Sequence, residues 1–270
     1  MPEWPEMEHY RQVLDVRITN KKITAIVVER ERSLNMNTAE FTSRVLNQQI
    51  VAVKRRAKML LFTLESSDVL LLHLMLGGWM FYGLEEEKPN RTIQVQLSFG
   101  DRQLYFIGLR LGYLHLFTPI QLAGRLSELG PDPFAPELSS TAFKLLLERG
   151  RGGTLKKLLT DQSVISGIGN CYSDEICHVA GLLPSRVPSS LSIEESTHLY
   201  RSMHTTLLEA VQAGGYMDQA FYSGDSRTGQ YNDRCMVYDR EDEPCYRCGH
   251  SIRRNDISNK KSFYCPQCQL

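Results

Sequence analysis

Four cysteines near the end of the chain have the type and spacing of a metal site. Cys245 and Cys248 form one Cys-x-x-Cys pair, and Cys265 and Cys268 form a second. Such a turn aims both sulfurs at one ion. Four thiolates close a tetrahedral zinc site that is structural, because no position is left open for a substrate. A segment this short cannot bury a core of its own, so the metal supplies its folding energy. Unrelated reduced thiols and a redox pair are the alternatives, and two pairs at this separation fit metal better. Cys171, Cys177 and Cys235 read as ordinary packed or partly exposed thiols.

Basic groups cluster in three other places. Arg253, Arg254, Lys260 and Lys261 lie between the cysteine pairs against one acid, Asp256, and Arg247 lies inside the first pair. A basic hairpin of this kind suits phosphate or a minor groove, although a solvated surface explains the charges too. "KRRAKMLLF" opens with Lys54, Arg55, Arg56 and Lys58. Strand alternation would put Lys54, Arg56 and Lys58 on one face, and a solvated edge is the alternative. "RGRGGTLKKLL" adds Arg149, Arg151, Lys156 and Lys157. In "DQSVISGIGNCYSDE", Gly167 and Gly169 bracket one apolar residue and Asn170 follows as the expected N-cap of a helix. Glycines let a backbone approach phosphate closely, and the free N–H groups of a helix start suit an anion. Taken together, these clusters point to duplex DNA.

The elements that must carry these residues are legible from periodicity. From Glu3 to about Val16, Met7, Tyr10, Val13 and Leu14 recur at helical spacing. Between Ile18 and Phe117, short β-branched or aromatic runs separated by Gly, Asn, Asp and Ser read as strands of a sandwich or barrel. "ELGPDPFAPELSS" reads as a linker. After it come four helical segments, "STAFKLLLERG", "TLKKLLTDQSV", "NCYSDEICHVAGLL" and "SIEESTHLYRSMHTTLLEAVQAGG". "SGDSRTGQYND" lacks periodicity and reads as a mobile loop. The chain of 270 residues suggests two domains with a small appendage. Its 31 basic and 31 acidic residues cancel, so only local clustering argues for nucleic acid. No apolar run is long enough to span a membrane and the start lacks a secretory pattern, so a cytosolic protein is expected.

These residues, in this order, resemble the formamidopyrimidine-DNA glycosylase and endonuclease VIII family of base-excision repair enzymes. The Pro-Glu-x-Pro-Glu hallmark stands here as Pro2-Glu3-Trp4-Pro5-Glu6. The helix–two-turn–helix element is matched by "DQSVISGIGNCYSDEICHVAGLLPS", the zinc finger by "VYDREDEPCYRCG…FYCPQCQ", and "LGPDPF" matches the linker. The resemblance covers the whole chain. It implies an α+β fold: an N-terminal helix on a β-sandwich, then a helical domain with a four-cysteine zinc-finger hairpin, with DNA in the cleft between. The boundaries expected are 1–132 for the catalytic helix and sandwich, 133–234 for the helical domain, and 235–270 for the finger. One structural zinc, damaged double-stranded DNA as partner, no membrane, a monomer, and the bacterial cytosol or nucleoid complete the picture.

The chemistry is also carried by the resemblance. Met1 is expected to be removed, leaving Pro2 as a secondary amine, and an α-amino group titrates near about 7.7–8.0, so part of it is neutral at pH 7. Such an amine attacks C1′ of a damaged nucleotide, expels the base and forms a Schiff base, after which β- and δ-elimination break the strand. Glu3 takes the role of proton donor and Glu6, three residues on, positions the amine or Glu3. Read without the resemblance, both are carboxylates favoured at a helix start. Lys58 matches a catalytic, phosphate-contacting lysine. His73, Arg110, Lys156, Asn170, Arg254 and Lys260 are expected at DNA, with Lys260 replacing a finger arginine and losing its bidentate fork.

One departure concerns the Met, Arg and Phe that fill the gap left by a flipped base in the family. Here Leu76 falls at the Met position, Leu109 at the Arg position and Leu111 at the Phe position, with Arg110 between them; a one-residue shift would restore Arg110 to the Arg position, but Gly112 favours the first frame. Leucine cannot donate to a base edge, so weak discrimination of the opposite base and a changed lesion spectrum are expected. Residues 223–233 are the expected lesion-covering loop. The leading reading is thus a bifunctional glycosylase/lyase. A lesion sensor or shield of the same fold is the alternative, and a zinc-ribbon interaction module leaves the amino terminus unexplained.

Overall fold

Helix α1, Trp4–Ile18, starts where Pro5 needs no backbone partner in the first turn. It ends two residues later than its periodicity suggests, and Met7, Tyr10, Leu14 and Ile18 are fully or almost fully buried in the sandwich core. Met7, Leu14 and Ile18 each contribute about 1.5–3 kcal/mol when buried. The computed structural model describes residues 1–149 and 153–270; Arg151 lies outside the described residues.

Eight strands follow: β1 Ala25–Val28, β2 Ile50–Arg56, β3 Met59–Leu64, β4 Val69–His73, β5 Trp79–Gly83, β6 Ile93–Phe99, β7 Arg102–Ile107 and β8 Tyr113–Phe117. They pair antiparallel into two sheets, ordered β1-β6-β7-β5 and β2-β3-β4-β8, which sandwich one apolar core. Helix α2, Thr38–Val45, interrupts the run of strands expected here. Its signals are local: Asn37 caps it by accepting from the Glu40 amide at 2.9 Å, and Phe41 and Val45, one turn apart, are buried. Helix α3, Pro119–Leu126, follows β8.

The second part holds α4 Ser140–Arg149, α5 Leu155–Thr160, α6 Asn170–Val179, α7 Ile193–Gln212, and the hairpin β9 Arg253–Ile257 with β10 Lys260–Tyr264. Helix α5 is shorter than its apolar pattern predicts. Asp161 leaves the helix in an extended conformation, and its carboxylate takes the Ser163 amide at 3.0 Å. Gln162 then replaces helix bonds with its own, accepting from the Gly167 amide and donating to the Ile168 carbonyl, both at 2.8 Å. These side chains build the two turns between α5 and α6.

Two compact units result: Met1–Ser127 with Ala213–Gln230, and Glu128–Gln212 with Tyr231–Leu270. Residues 223–230 of the expected lesion loop therefore belong to the sandwich unit. Among the described residues, no helix is long and apolar enough to cross a membrane.

Candidate functional site

In the sandwich unit, Pro2, Glu3 and Glu6 are all buried at the start of α1. Glu6 is the organiser. Its Oε2 accepts the Glu3 amide at 2.8 Å, and its Oε1 accepts the Tyr216 amide at 2.9 Å. Residue 215 has to be glycine: its φ is +77°, and a Cβ would lie 2.2 Å from Glu6 Oε1. The Met1 ammonium donates to the Tyr216 hydroxyl at 3.3 Å, and that hydroxyl donates to the Met1 carbonyl at 3.1 Å. Tyr216 thus sits at the amino terminus, a placement that no local pattern in the sequence announces.

Trp4 is explained by a contact with β2. The Arg55 guanidinium lies 4.3 Å from the centre of its ring, and Arg55 Nε donates to Glu8 Oε2 at 3.0 Å. Cation–π stacking and an ion pair therefore dock the first turns of α1 on the sheet. Arg55 is consequently a structural member of its basic cluster.

The expected face of Lys54, Arg56 and Lys58 is broken by a turn. Arg56 pairs with Met59, so Ala57 and Lys58 form a two-residue hairpin loop, with Ala57 at φ +53°. Lys54 is exposed and Arg56 half-buried, whereas Lys58 is buried. Lys58 lies near His73, the last residue of β4. Burial, and then the charge of Lys58, push the His73 imidazole down to about 4. His73 is thus a neutral ring near pH 7, able to donate one hydrogen bond.

Leu76, Arg110 and Leu111 are exposed on two loops packed back to back. Glycines make that packing possible. A Cβ on Gly78 would lie 2.1 Å from the Leu74 carbonyl oxygen, one on Gly108 2.0 Å from that of Gly77, and one on Gly112 2.5 Å from those of His73 and Leu74. Leu109 corrects the expected assignment. It has no exposed surface and belongs to the sandwich core, so it cannot enter a duplex. The exposed tip therefore consists of Leu76, at 67%, Leu111, at 61%, and the charged Arg110.

In the helical unit, Lys156 is the second correction. Its side chain is completely buried; Nζ pairs with Asp174 Oδ1 at 2.8 Å and donates to the Asn170 carbonyl at 2.8 Å. It locks α5 to α6 and does not reach a phosphate. Gly169, not Asn170, is the N-cap of α6, and Asn170 is the first helical residue, half-buried. Lys260 opens β10 and donates from Nζ to Thr160 Oγ1 at 2.6 Å, at the end of α5. Arg254 is exposed on β9 but is flanked by Glu241 at 3.4 Å and Asp256 at 3.9 Å. With Arg253 facing Asp242 at 3.8 Å, the hairpin is less basic than its own sequence suggests.

The sulfurs of Cys245, Cys248, Cys265 and Cys268 all lie within 4.8 Å of one another. Cys248 and Cys265 are 3.5 Å apart, and Cys245 and Cys268 3.9 Å. A zinc–sulfur bond of about 2.3 Å gives tetrahedral edges of about 3.8 Å, so the donor set fits one zinc. Asp174 and Glu175 hold the finger's framework to α6. Asp174 accepts the Ser262 hydroxyl at 2.7 Å and the Phe263 amide at 3.0 Å. Glu175 accepts three successive amides, those of Met236, Val237 and Tyr238, at 2.8–3.0 Å. Cys171, Cys177 and Cys235 are buried.

Three family models match this chain in order. The formamidopyrimidine-DNA glycosylase N-terminal domain matches residues 1–113, the H2TH domain of the same enzymes residues 129–221, and the zinc finger found in FPG and IleRS residues 242–270. A formamidopyrimidine-DNA glycosylase of Pelotomaculum thermopropionicum is 33% identical, covering 100% of this chain and 99% of the relative. One from Geobacillus kaustophilus is 32% identical, with both chains covered in full. Among solved structures, Lactococcus lactis Fpg bound to DNA containing an abasic site matches with TM-score 0.91 and 25% identity over 99% of each chain. The wild-type Lactococcus lactis enzyme with DNA containing N7-benzyl-Fapy-dG matches equally, at TM-score 0.91, 25% identity and full coverage of both chains.

Proposed function

The chain belongs to the formamidopyrimidine-DNA glycosylase family, and on that premise we propose that it removes a damaged base from duplex DNA and cleaves the strand through the amine of Pro2. The observation that carries this reading is the buried Pro2-Glu3-Glu6 start of α1, in which one carboxylate fixes the Glu3 amide and the Tyr216 amide together.

The chemistry follows from that arrangement. With Met1 removed, the Pro2 lone pair forms a bond to C1′ while the glycosidic bond breaks; the base departs with its electron pair and takes up the proton that the amine nitrogen loses. Glu3 delivers a proton to the sugar ring oxygen as the ring opens, leaving an iminium. The iminium acidifies C2′; loss of that proton expels the 3′ phosphate by β-elimination, and a second elimination expels the 5′ phosphate. A secondary amine needs little activation for this step, because an α-amino group already titrates near neutral pH. Lys58 and the neutral His73 ring supply a charge and a donor for phosphates beside the lesion, and Asn170 and Lys260 contact phosphate from the helical unit. Cys245, Cys248, Cys265 and Cys268 would hold one zinc, which would supply folding energy and take no part in the reaction.

Leu76 and Leu111 fill the gap left by the flipped base by apolar contact. Arg110 is the one hydrogen-bonding side chain at that tip, and it is exposed. A fixed bidentate contact discriminates bases by about 1–3 kcal/mol; an arginine that must first be ordered delivers less. Excision from duplexes carrying each of the four opposite bases is expected to vary by less than about fivefold, which is roughly 1 kcal/mol. A strong preference for cytosine would contradict this altered specificity. The sensor alternative is favoured by the same leucine tip; tight binding of damaged duplexes with no incision anywhere in a panel of oxidised, alkylated and crosslinked oligonucleotides would establish it instead.

A further inference from the structure

His9 lies on α1, one turn beyond Glu6, and is buried with 1% of its surface exposed. Its Nε2 is 2.9 Å from the Thr228 hydroxyl, 219 residues away in sequence. Thr228 Oγ1 also contacts Asp225 Oδ2 at 2.5 Å. An ionised carboxylate only accepts, so the hydroxyl donates to Asp225 and must accept from His9. This fixes the tautomer: the proton is on Nε2. His9 Nδ1 has no hydrogen-bond partner among the described residues, as a ring nitrogen without a proton tolerates best. Burial, and then the Arg227 charge, hold the ring down to about 4, so it is neutral near pH 7.

Asp225 is the hub of the loop on the far side of this contact. Its carboxylate accepts the amides of Phe221 at 2.9 Å, Arg227 at 3.0 Å and Thr228 at 3.2 Å. The same stretch lies along α1 at other points. The Phe221 ring is 5.2 Å from Tyr10, and the Arg17 guanidinium is 4.2 Å from the Tyr222 ring. Glu6 holds the Tyr216 amide at the start of the segment. The helix that begins at the nucleophile is thus also the support for residues 216–228, and His9 is the buried polar group that ties their far end to it.

We propose that His9 is a positioning residue for base excision: through Thr228 and Asp225 it holds the 221–228 loop in register with Pro2, Glu3 and Glu6, so that the loop covers an extruded base. This deepens the proposed function and rests on it, because it assigns that loop to the base. Cleavage at a preformed abasic site involves no base to cover, so the latch contributes to excision and not to elimination.

The test uses the full-length, zinc-loaded protein in three forms: parent, His9→Phe and His9→Gln. Phe keeps a ring of similar size without a donor; the Gln amide restores one. His9→Phe is expected to lower kcat/KM for base excision about five- to tenfold, the equivalent of one buried hydrogen bond. It leaves scission of a preformed abasic site within about twofold of the parent, and His9→Gln recovers most of the excision. A second readout needs no activity. Arg227 is exposed within the loop, so trypsin is expected to cut there several times faster in His9→Phe than in the parent or in His9→Gln. Equal excision and equal tryptic rates in the parent and a folded His9→Phe would overturn the proposal. If the parent excises no base at all, the reading of function fails, and the tryptic rates still decide whether the latch exists.

Discussion

Glu3→Gln is expected to lose base excision by about 10²–10⁴-fold, the range general acid–base catalysis contributes. The substitution keeps the size of the side chain and removes only its ability to exchange a proton. The backbone stays where it is, because Glu6 holds the Glu3 amide at 2.8 Å regardless of the side chain at position 3. Burial also matters, since Glu3 is 2% exposed and water has little access to stand in as the proton donor. Single-turnover excision measured beside the parent, with unfolding curves showing equal stability, checks this. A loss smaller than about tenfold would remove Glu3 from proton transfer and leave it as a cap of α1.

The second large effect is on stability. Asp174→Ala is expected to cost about 3–5 kcal/mol, because it leaves the Lys156 ammonium buried without its partner. Lys156 and Asp174 are both fully buried, and Asp174 also satisfies Ser262 and the Phe263 amide on β10. Burial pushes the Asp174 carboxyl up to about 6 against the pull of Lys156, so the measurement belongs well above that pH, where the pair is charged. Since β10 leads into Cys265, zinc release to a colorimetric chelator is expected to accelerate together with the fall in urea midpoint. The double variant Lys156→Met/Asp174→Asn recovers more than half the loss, because it removes the stranded charge while an amide oxygen still accepts from Ser262. A double variant as unstable as the single one would show that the carboxylate, not the stranded lysine, dominates.

How much of this is legible in the sequence depends on how local each signal is. The zinc ligands can be named because two Cys-x-x-Cys turns declare themselves within a few residues, and their sulfurs do converge. The core face of α1 is legible from spacing, with Met7, Tyr10 and Leu14 all buried. Charge, in contrast, does not report burial. Lys156 looks like a phosphate ligand in a basic stretch, and only the position of Asp174, eighteen residues on, shows it to be an internal strut. The tip of the 108–112 loop departs from its motif alignment for a related reason. Which of three consecutive side chains points outward depends on glycine contacts across two loops, and an alignment does not see those contacts. Trp4 finds its partner in Arg55, fifty-one residues away, and His9 in Thr228. A single histidine or tryptophan on a helix carries no sign of a distant partner.

The central claim is that the Pro2 amine is the nucleophile, and borohydride reduction during reaction with an abasic-site duplex tests it most directly. The account predicts a covalent protein–DNA adduct whose peptide map places the added mass on residue 2, with Met1 absent, and no adduct for Pro2→Gly made under the same conditions or a much reduced yield. No adduct with the parent, or an adduct mapped to a lysine side chain such as Lys58 with Pro2→Gly behaving like the parent, would contradict it.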